Sequence, residues 1–304
     1  MNTPTIMKQS RWVPWLYLAP ALLIMAVFVL YPMFNTFVLS FMDKTGTQSA
    51  AVSCATGQPC WGSFENYRYA LTNPEMLQAL RNNALWLLLM VPGTVITGLL
   101  FAVLADRVRY EALAKAIIFM PMAISFVGAG IIWRFVYYIE TGSGQQIGLL
   151  NAVLVAFGGQ PVAWLSNPAF NNFALMIVGV WLWAGFCMTI LSAALKSVPA
   201  EILEAARVDG AREVEVFFQI MLPIIMPTIL VVTTTMVINV LKIFDIVFVL
   251  TGGNFGTEVI ANRMFKLIVT DTGRSMAIAV LLVLLTIPVL IFNVNRFRQQ
   301  EASR

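Results

Sequence analysis

Residues 198–223 read VPAEILEAARVDGAREVEVFFQIMLP, a polar, helix-forming stretch set between two of the most apolar segments of the chain. Its local signals give two short helices joined by a sharp turn. Ser197 is placed to cap, Pro199 suits a first turn, and Glu201 sits at the positive end of the helix dipole. Ile202, Leu203, Ala205, Ala206 and Val208 give the first helix a mostly apolar face with small residues at its centre. Gly210 supplies the left-handed position that ends a helix. A second helix is expected from Ala211 until Pro223 restarts the chain, with Arg212 and Glu215 spaced i,i+3 on its polar side. Ala205 and Ala206 let another surface approach the backbone, and Glu204 can accept a contact there, which makes the first helix a docking element. The competing reading is a helix resting on a membrane surface. Such helices carry Lys or Arg opposite the apolar stripe, whereas this segment has five acidic residues against two arginines.

The rest of the chain fixes the solvent. Of 304 residues, 59% are hydrophobic and 11% charged, against about 25% charged in a soluble domain. Its surroundings must therefore be lipid. Histidine is absent, which removes the commonest general base and the commonest transition-metal ligand. The three cysteines, Cys54, Cys60 and Cys187, have neither the spacing nor the number of a zinc site. No catalytic residue, metal site or nucleic-acid partner is expected.

A helix needs about 20 apolar residues to cross the hydrocarbon core. Six segments qualify: Trp15–Phe41, Asn83–Ala105, Ala116–Ile139, Asn172–Leu195, Ile224–Leu250 and Ser275–Asn295. The expected fold is all-α, one polytopic domain over residues 1–304. Lys and Arg orient it. With the N-terminus inside, the inner segments hold eleven: Lys8, Arg11, Arg107, Arg109, Lys115, Lys196, Arg207, Arg212, Arg296, Arg298 and Arg304. The outer segments hold six: Lys44, Arg68, Arg81, Arg263, Lys266 and Arg274. Both ends then face the cytoplasm. Loops 42–82, 140–171 and 251–274 are external, and 196–223 is cytoplasmic. The N-terminal apolar run exceeds a signal-peptide core and is read as an uncleaved anchor. Cys54 and Cys60, bracketing CATGQPC outside, can close a short disulfide in an oxidising compartment; the alternative is two unpaired thiols. Cys187 reads as a small hydrophobe.

Within the opening stretch, EAARVDGAREVEVFFQIMLP has E-A-A, three residues, G, nine residues, I, one residue, L-P. Glu204, Ala205, Ala206, Gly210, Ile220, Leu222 and Pro223 meet it without departure. This resembles the signature of permease subunits of binding-protein-dependent ABC importers. The likeness extends to LAPALLIMAVFVLYPMFNTFVLSF, FENYRYALTNPEMLQALRNNALWLL and VLKIFDIVFVLTGG, which are similar to segments of sugar-type permeases. ADRVRYEALAKAIIFMPMAISFVGAGIIWRFVY and NRFRQQEA look most like the alpha-glucoside and maltose permeases. The resemblance implies a type I permease fold in a bacterial inner membrane. It also implies a second permease subunit, two ATPase subunits holding ATP and Mg, and an external sugar-binding protein. Residues 196–223 would be the coupling element seated in the ATPase.

Asn239, Lys242 and Asp245 in INVLKIFD lie at i, i+3 and i+6, on one side of a continuous helix. Charges at that depth usually face an interior or a cavity. One reading is a sugar-facing stripe with Phe244 offering a ring face, supported by the family's sugar contacts on this helix. The other is that Lys242 and Asp245 pair and fix packing. Trp181 and Trp183 could stack on a sugar or pack on protein. Gly93, Gly98 and the VGAGI run (127–131) suit close helix contact.

Other function classes are poorer fits. An intramembrane enzyme lacks histidine and has Asp245 as its one clearly buried carboxylate. A channel or secondary transporter leaves the docking segment unexplained, and no inverted repeat is evident. The same permease type for another solute, such as glycerol phosphate, stays open. No G-x-x-x-x-G-K-[ST] loop occurs, so ATP is hydrolysed by a partner chain.

Overall fold

The computed structural model describes residues 13–42, 64–142 and 145–302, with side chains to residue 292. Cys54 and Cys60 lie outside the described residues, as do Lys8, Arg11, Lys44 and Arg304. Every described regular element is a helix. In chain order they are α1 (Val13–Leu39), α2 (Glu65–Thr72), α3 (Pro74–Ala105), α4 (Glu111–Ala123), α5 (Phe126–Val136) and α6 (Leu149–Ala156). Then come α7 (Asn171–Lys196), α8 (Ala200–Val208), α9 (Glu213–Leu241), α10 (Asp245–Leu250), α11 (Ile260–Leu267) and α12 (Thr272–Ala302).

Five of these, α1, α3, α7, α9 and α12, are long and apolar enough to cross a membrane. A sixth span forms only if α4 and α5 count together, and they meet at 100°. The straight third span expected from hydropathy is therefore corrected to a broken one. The cause is local: Met120–Ala123 tightens to a 3₁₀ turn around Pro121, and Ser125 starts a new helix by accepting a hydrogen bond from the Gly128 N–H at 3.0 Å. Span two starts earlier than expected, because the Asn73 side chain accepts from the Glu75 N–H at 2.9 Å and Pro74 fits the first position of the helix.

The core lies where α3 crosses α7. Trp86, Met90, Leu175, Val178, Met188 and Leu191 are fully buried there. Gly98 permits the approach, since a Cβ at that position would collide with Cys187 of α7. Cys187 is accordingly a buried small hydrophobe, as expected. Helix α9 packs on α3, α7 and α12. By contrast, α1 stands apart, with none of its apolar stretch buried. Only Tyr31–Leu39 reaches α12, while Asn66 donates to the carbonyls of Ser40 and Met42 at 2.9 and 2.8 Å. A lone helix is tolerated in lipid because its backbone bonds are internal.

Two helices contain a widened π turn: Ala26–Leu30 in α1 and Val216–Met221 in α9. Each ends two residues before a proline, Pro32 or Pro223, whose missing N–H and bulky ring disturb the carbonyl four residues back.

Candidate functional site

The segment 198–223 folds as a helix, a turn and the start of a second helix, which does not end before Pro223. Helix α8 ends in two bonds typical of a glycine-terminated helix: Ala211 N–H donates to Ala206 O at 3.0 Å and Gly210 N–H to Arg207 O at 3.1 Å. Gly210 has φ +86°, and nothing lies within 4 Å of a Cβ built on it. Strain from any other residue there comes from the backbone alone. Beyond the turn, α9 runs unbroken from Glu213 through Pro223 to Leu241. The expected restart at Pro223 is thus corrected: Pro223 sits just after the π turn of a helix that carries on into the bundle.

The turn has its own fastenings. Arg207 Nε donates to Glu213 Oε1 at 2.7 Å, tying α8 to the start of α9. That hydrogen bond also raises the Arg207 pKa above its ordinary value. Glu215 accepts from the Arg212 backbone N–H at 2.7 Å, so the i,i+3 spacing of these residues serves as a cap. Ala206 is buried and Leu203 packs on the core, while Ile202, Glu204, Ala205 and Val208 are exposed. The apolar face expected of the first helix is therefore split between an inner and an outer side. Glu204 has no hydrogen bond or ion pair among the described residues. Ile220 and Leu222 are half-buried and Pro223 is exposed.

Beside this segment lies a cluster that sequence reading missed. Lys115 Nζ of α4 sits 2.5 Å from Asp106 Oδ1, 2.6 Å from Glu111 Oε1 and 2.5 Å from Ser192 Oγ. The Ser192 hydroxyl donates to Asp106 at 2.8 Å, and Lys196, the last residue of α7, pairs with Glu111. We call the end of the bundle holding this cluster the lower end.

The stripe on the fifth span is not continuous. Helix α9 stops at Leu241, Lys242 closes it, and α10 begins at Asp245. Asn239 and Asp245 are half-buried and Lys242 is exposed, and among the described residues Lys242 and Asp245 do not pair. The packing alternative for these two is therefore corrected, and so is the shared helical face. The Phe244 ring stacks on Phe248 and tilts against Phe265, both with centroids 5.0 Å away. Trp181 meets Trp133 at 5.7 Å beside an apolar cavity of about 580 Å³, and Trp183 lies between Phe126 and Phe186.

The upper end is held by buried amides and charges. Asn83 Oδ1 accepts from Ile260 N–H at 2.9 Å, while its Nδ2 donates at 3.4 Å to the carbonyls of Val240 and Leu241, which end α9. Asn82 donates to Gly256 O and Glu258 O, both at 2.7 Å. Glu258 is 5% exposed and pairs with Lys266 at 2.7 Å. Glu258 and Asp271 are the buried carboxylates here, so the naming of Asp245 for that role is corrected. Arg263 binds Tyr69 and Glu75, and Arg274 lies 4.4 Å from the Tyr69 ring. Three of the six cations expected outside, Arg263, Lys266 and Arg274, are thus engaged within the protein.

Residues 84–298 match the family described as "Binding-protein-dependent transport system inner membrane component". Among curated proteins, the chain is 50% identical over 291 residues to the osmoprotective compounds uptake permease protein of Synechocystis sp., covering 95% of this chain and 100% of that one. It is 44% identical over 293 residues to the alpha-glucoside transport system permease protein of Rhizobium meliloti, covering 95% and 84%. Its fold is similar to a chain of a bacterial ABC transporter that imports the polysaccharide alginate, with TM-score 0.73 and 24% identity over 94% of this chain and 96% of that one.

Proposed function

The chain belongs to the family of binding-protein-dependent transport system inner membrane components, and from that premise we propose that it passes a sugar of the oligosaccharide or alpha-glucoside class across a bacterial inner membrane. As an ABC importer permease it is a membrane-embedded transport subunit and not an enzyme. The autonomous channel and secondary transporter readings fall away with family membership. We assign it a second permease subunit, two ATPase subunits that hold ATP and Mg, and an external sugar-binding protein. The exposure of the apolar stretch of α1 supports the second permease, since a span so little covered by its own chain has a surface free for another.

The observation that carries the coupling role is α8: exposed, ended by an open turn, and bearing an unpaired Glu204 at the lower end. Glu204, Ala205 and Gly210 form the side offered to the ATPase. Ala206 faces inward, and Ile220, Leu222 and Pro223 connect α8 to the bundle. With the lower end cytoplasmic, the external loops fall at the upper end. The path for sugar runs past the break at Lys242–Phe244, where a helix end and a ring cluster lie together. There Asn239 and Asp245 offer hydrogen bonds to hydroxyls, Lys242 an exposed amine and Phe244 a ring face. A second reading, a small osmoprotective solute in place of an oligosaccharide, is favoured by the name of the 50% identical relative.

The test of the coupling role is Glu204→Ala. Alanine keeps the helix, so the variant inserts in wild-type amounts, yet the ATPase no longer co-purifies or no longer responds to loaded binding protein. Normal coupling in this variant would sink the assignment of α8. Competition of unlabelled maltose, glycine betaine and glycerol phosphate against uptake of labelled sucrose separates the solute readings.

A further inference from the structure

Asp106 closes α3 at its C-terminal end, where unpaired carbonyls already make the helix terminus partly negative. A carboxylate there is electrostatically misplaced unless cations hold it, and two ammonium groups do. Lys115 is 2.5 Å away and Lys196 4.0 Å. The two cations also share Glu111, so two carboxylates and two ammoniums balance in one cluster. The cluster joins three elements: the end of α3, the first turns of α4 and the last turn of α7. Its interior is Asp106, Lys115 and Ser192; Lys196 is its rim, with side-chain exposure of 52% against 17% for Asp106. Only Ser197, Val198 and Pro199 separate Lys196 from α8. The docking helix is therefore attached covalently to α7 and α9, and through Lys196 also to α3 and the broken third span. Apolar packing alone could hold these helix ends as firmly, which leaves the charge network without a purpose if stability is its whole role.

We propose that Lys196 and Asp106 are positioning residues for coupling: they make the lower ends of α3, α4 and α7 move as one body with α8, so that displacement of α8 by the ATPase reaches α3 and the third span. The proposal rests on the coupling role given to α8. Two measurements on the reconstituted complex with its ATPase test it. The first places spin labels at R107C and S197C, with the native cysteines replaced, and compares nucleotide-free with ATP–vanadate-trapped complex. The distance is expected to be the same in both states; a change between them overturns the proposal, because the network then breaks during the cycle.

The second uses Lys196→Met, which keeps the aliphatic stem and removes the charge. It is expected to assemble normally, broaden the 107–197 distance and lower uptake of labelled trehalose or sucrose per ATP hydrolysed by about threefold, with Lys196→Arg restoring it. Less assembled complex with an unchanged ratio of uptake to hydrolysis would mark the cluster as structural only, and also overturns the proposal. Normal coupling in Lys196→Met beside lost coupling in Glu204→Ala removes the cluster and keeps the docking helix. Normal coupling in Glu204→Ala removes the docking role itself.

Discussion

At its lower end α9 begins in an open turn. Gly210 has no neighbour within 4 Å of a would-be Cβ, the Arg207–Glu213 pair is exposed at 48% and 57%, and Glu204 points outward unpaired. At its upper end the same helix stops inside the protein, where Asn83 takes up its last carbonyls and the first backbone N–H of α11. One end is finished by its own chain and the other leaves polar groups and small residues for a partner to cover. The difference separates sites where a substitution should cost stability from sites where it should cost coupling.

The largest effect should come from Asn83→Leu. It strands the Ile260 N–H and the Leu241 carbonyl in a buried setting, at a cost of about 3 kcal/mol, while Val240 O keeps the Ile243 N–H at 3.1 Å. Thermal unfolding in detergent should show it, and a shift no larger than that of a surface variant would erase the contrast between the two ends. Gly210→Ala comes next. It forces a Cβ into positive φ without a clash, for about 1 kcal/mol, while the tilted turn should abolish substrate-stimulated ATP hydrolysis. A variant that melts early yet couples normally would reverse the division. Arg207→Ala should lower the melting temperature no more than an ordinary surface variant does, since exposed pairs contribute little; a larger loss would make the turn a folded unit in its own right. Smallest is Lys242→Ala, expected within about 0.5 kcal/mol of wild type, because Lys242 is exposed and does not pair with Asp245. A strong loss of uptake at unchanged stability would place the amine in the sugar's path.

What could be read from the sequence follows from the range of each cause. The Gly210 turn was legible because its determinants lie within a few residues, and positive φ at that position was expected on chemistry alone. The bend in the third span was written in Pro121 and Ser125, but a sum over apolar residues is blind to a cap. The stop at Leu241 was harder, since the apolar run continues through Ile243–Leu250 and the group that accepts the break, Asn83, lies 157 residues away from Val240. The Asp106–Lys115–Lys196 cluster was invisible for the same reason. Each charge looks like an ordinary loop residue until three helix ends are brought together.

The π turn at Val216–Met221 sets one further condition. Such a turn holds one residue more than an α-helical turn would, and each residue advances a helix by about 100°. Removing any single residue between Val216 and Met221 would let an ordinary helix close, at the expense of crowding Pro223. Because the turn already absorbs its extra residue, the helix on either side would keep its phase, and Glu204 its bearing. A residue lost elsewhere in α9 has no such slack: the helix between the loss and the turn would rotate by about 100° against the spans it packs on. The π turn is thus a place where α9 can shed a residue and leave the docking surface facing the same way.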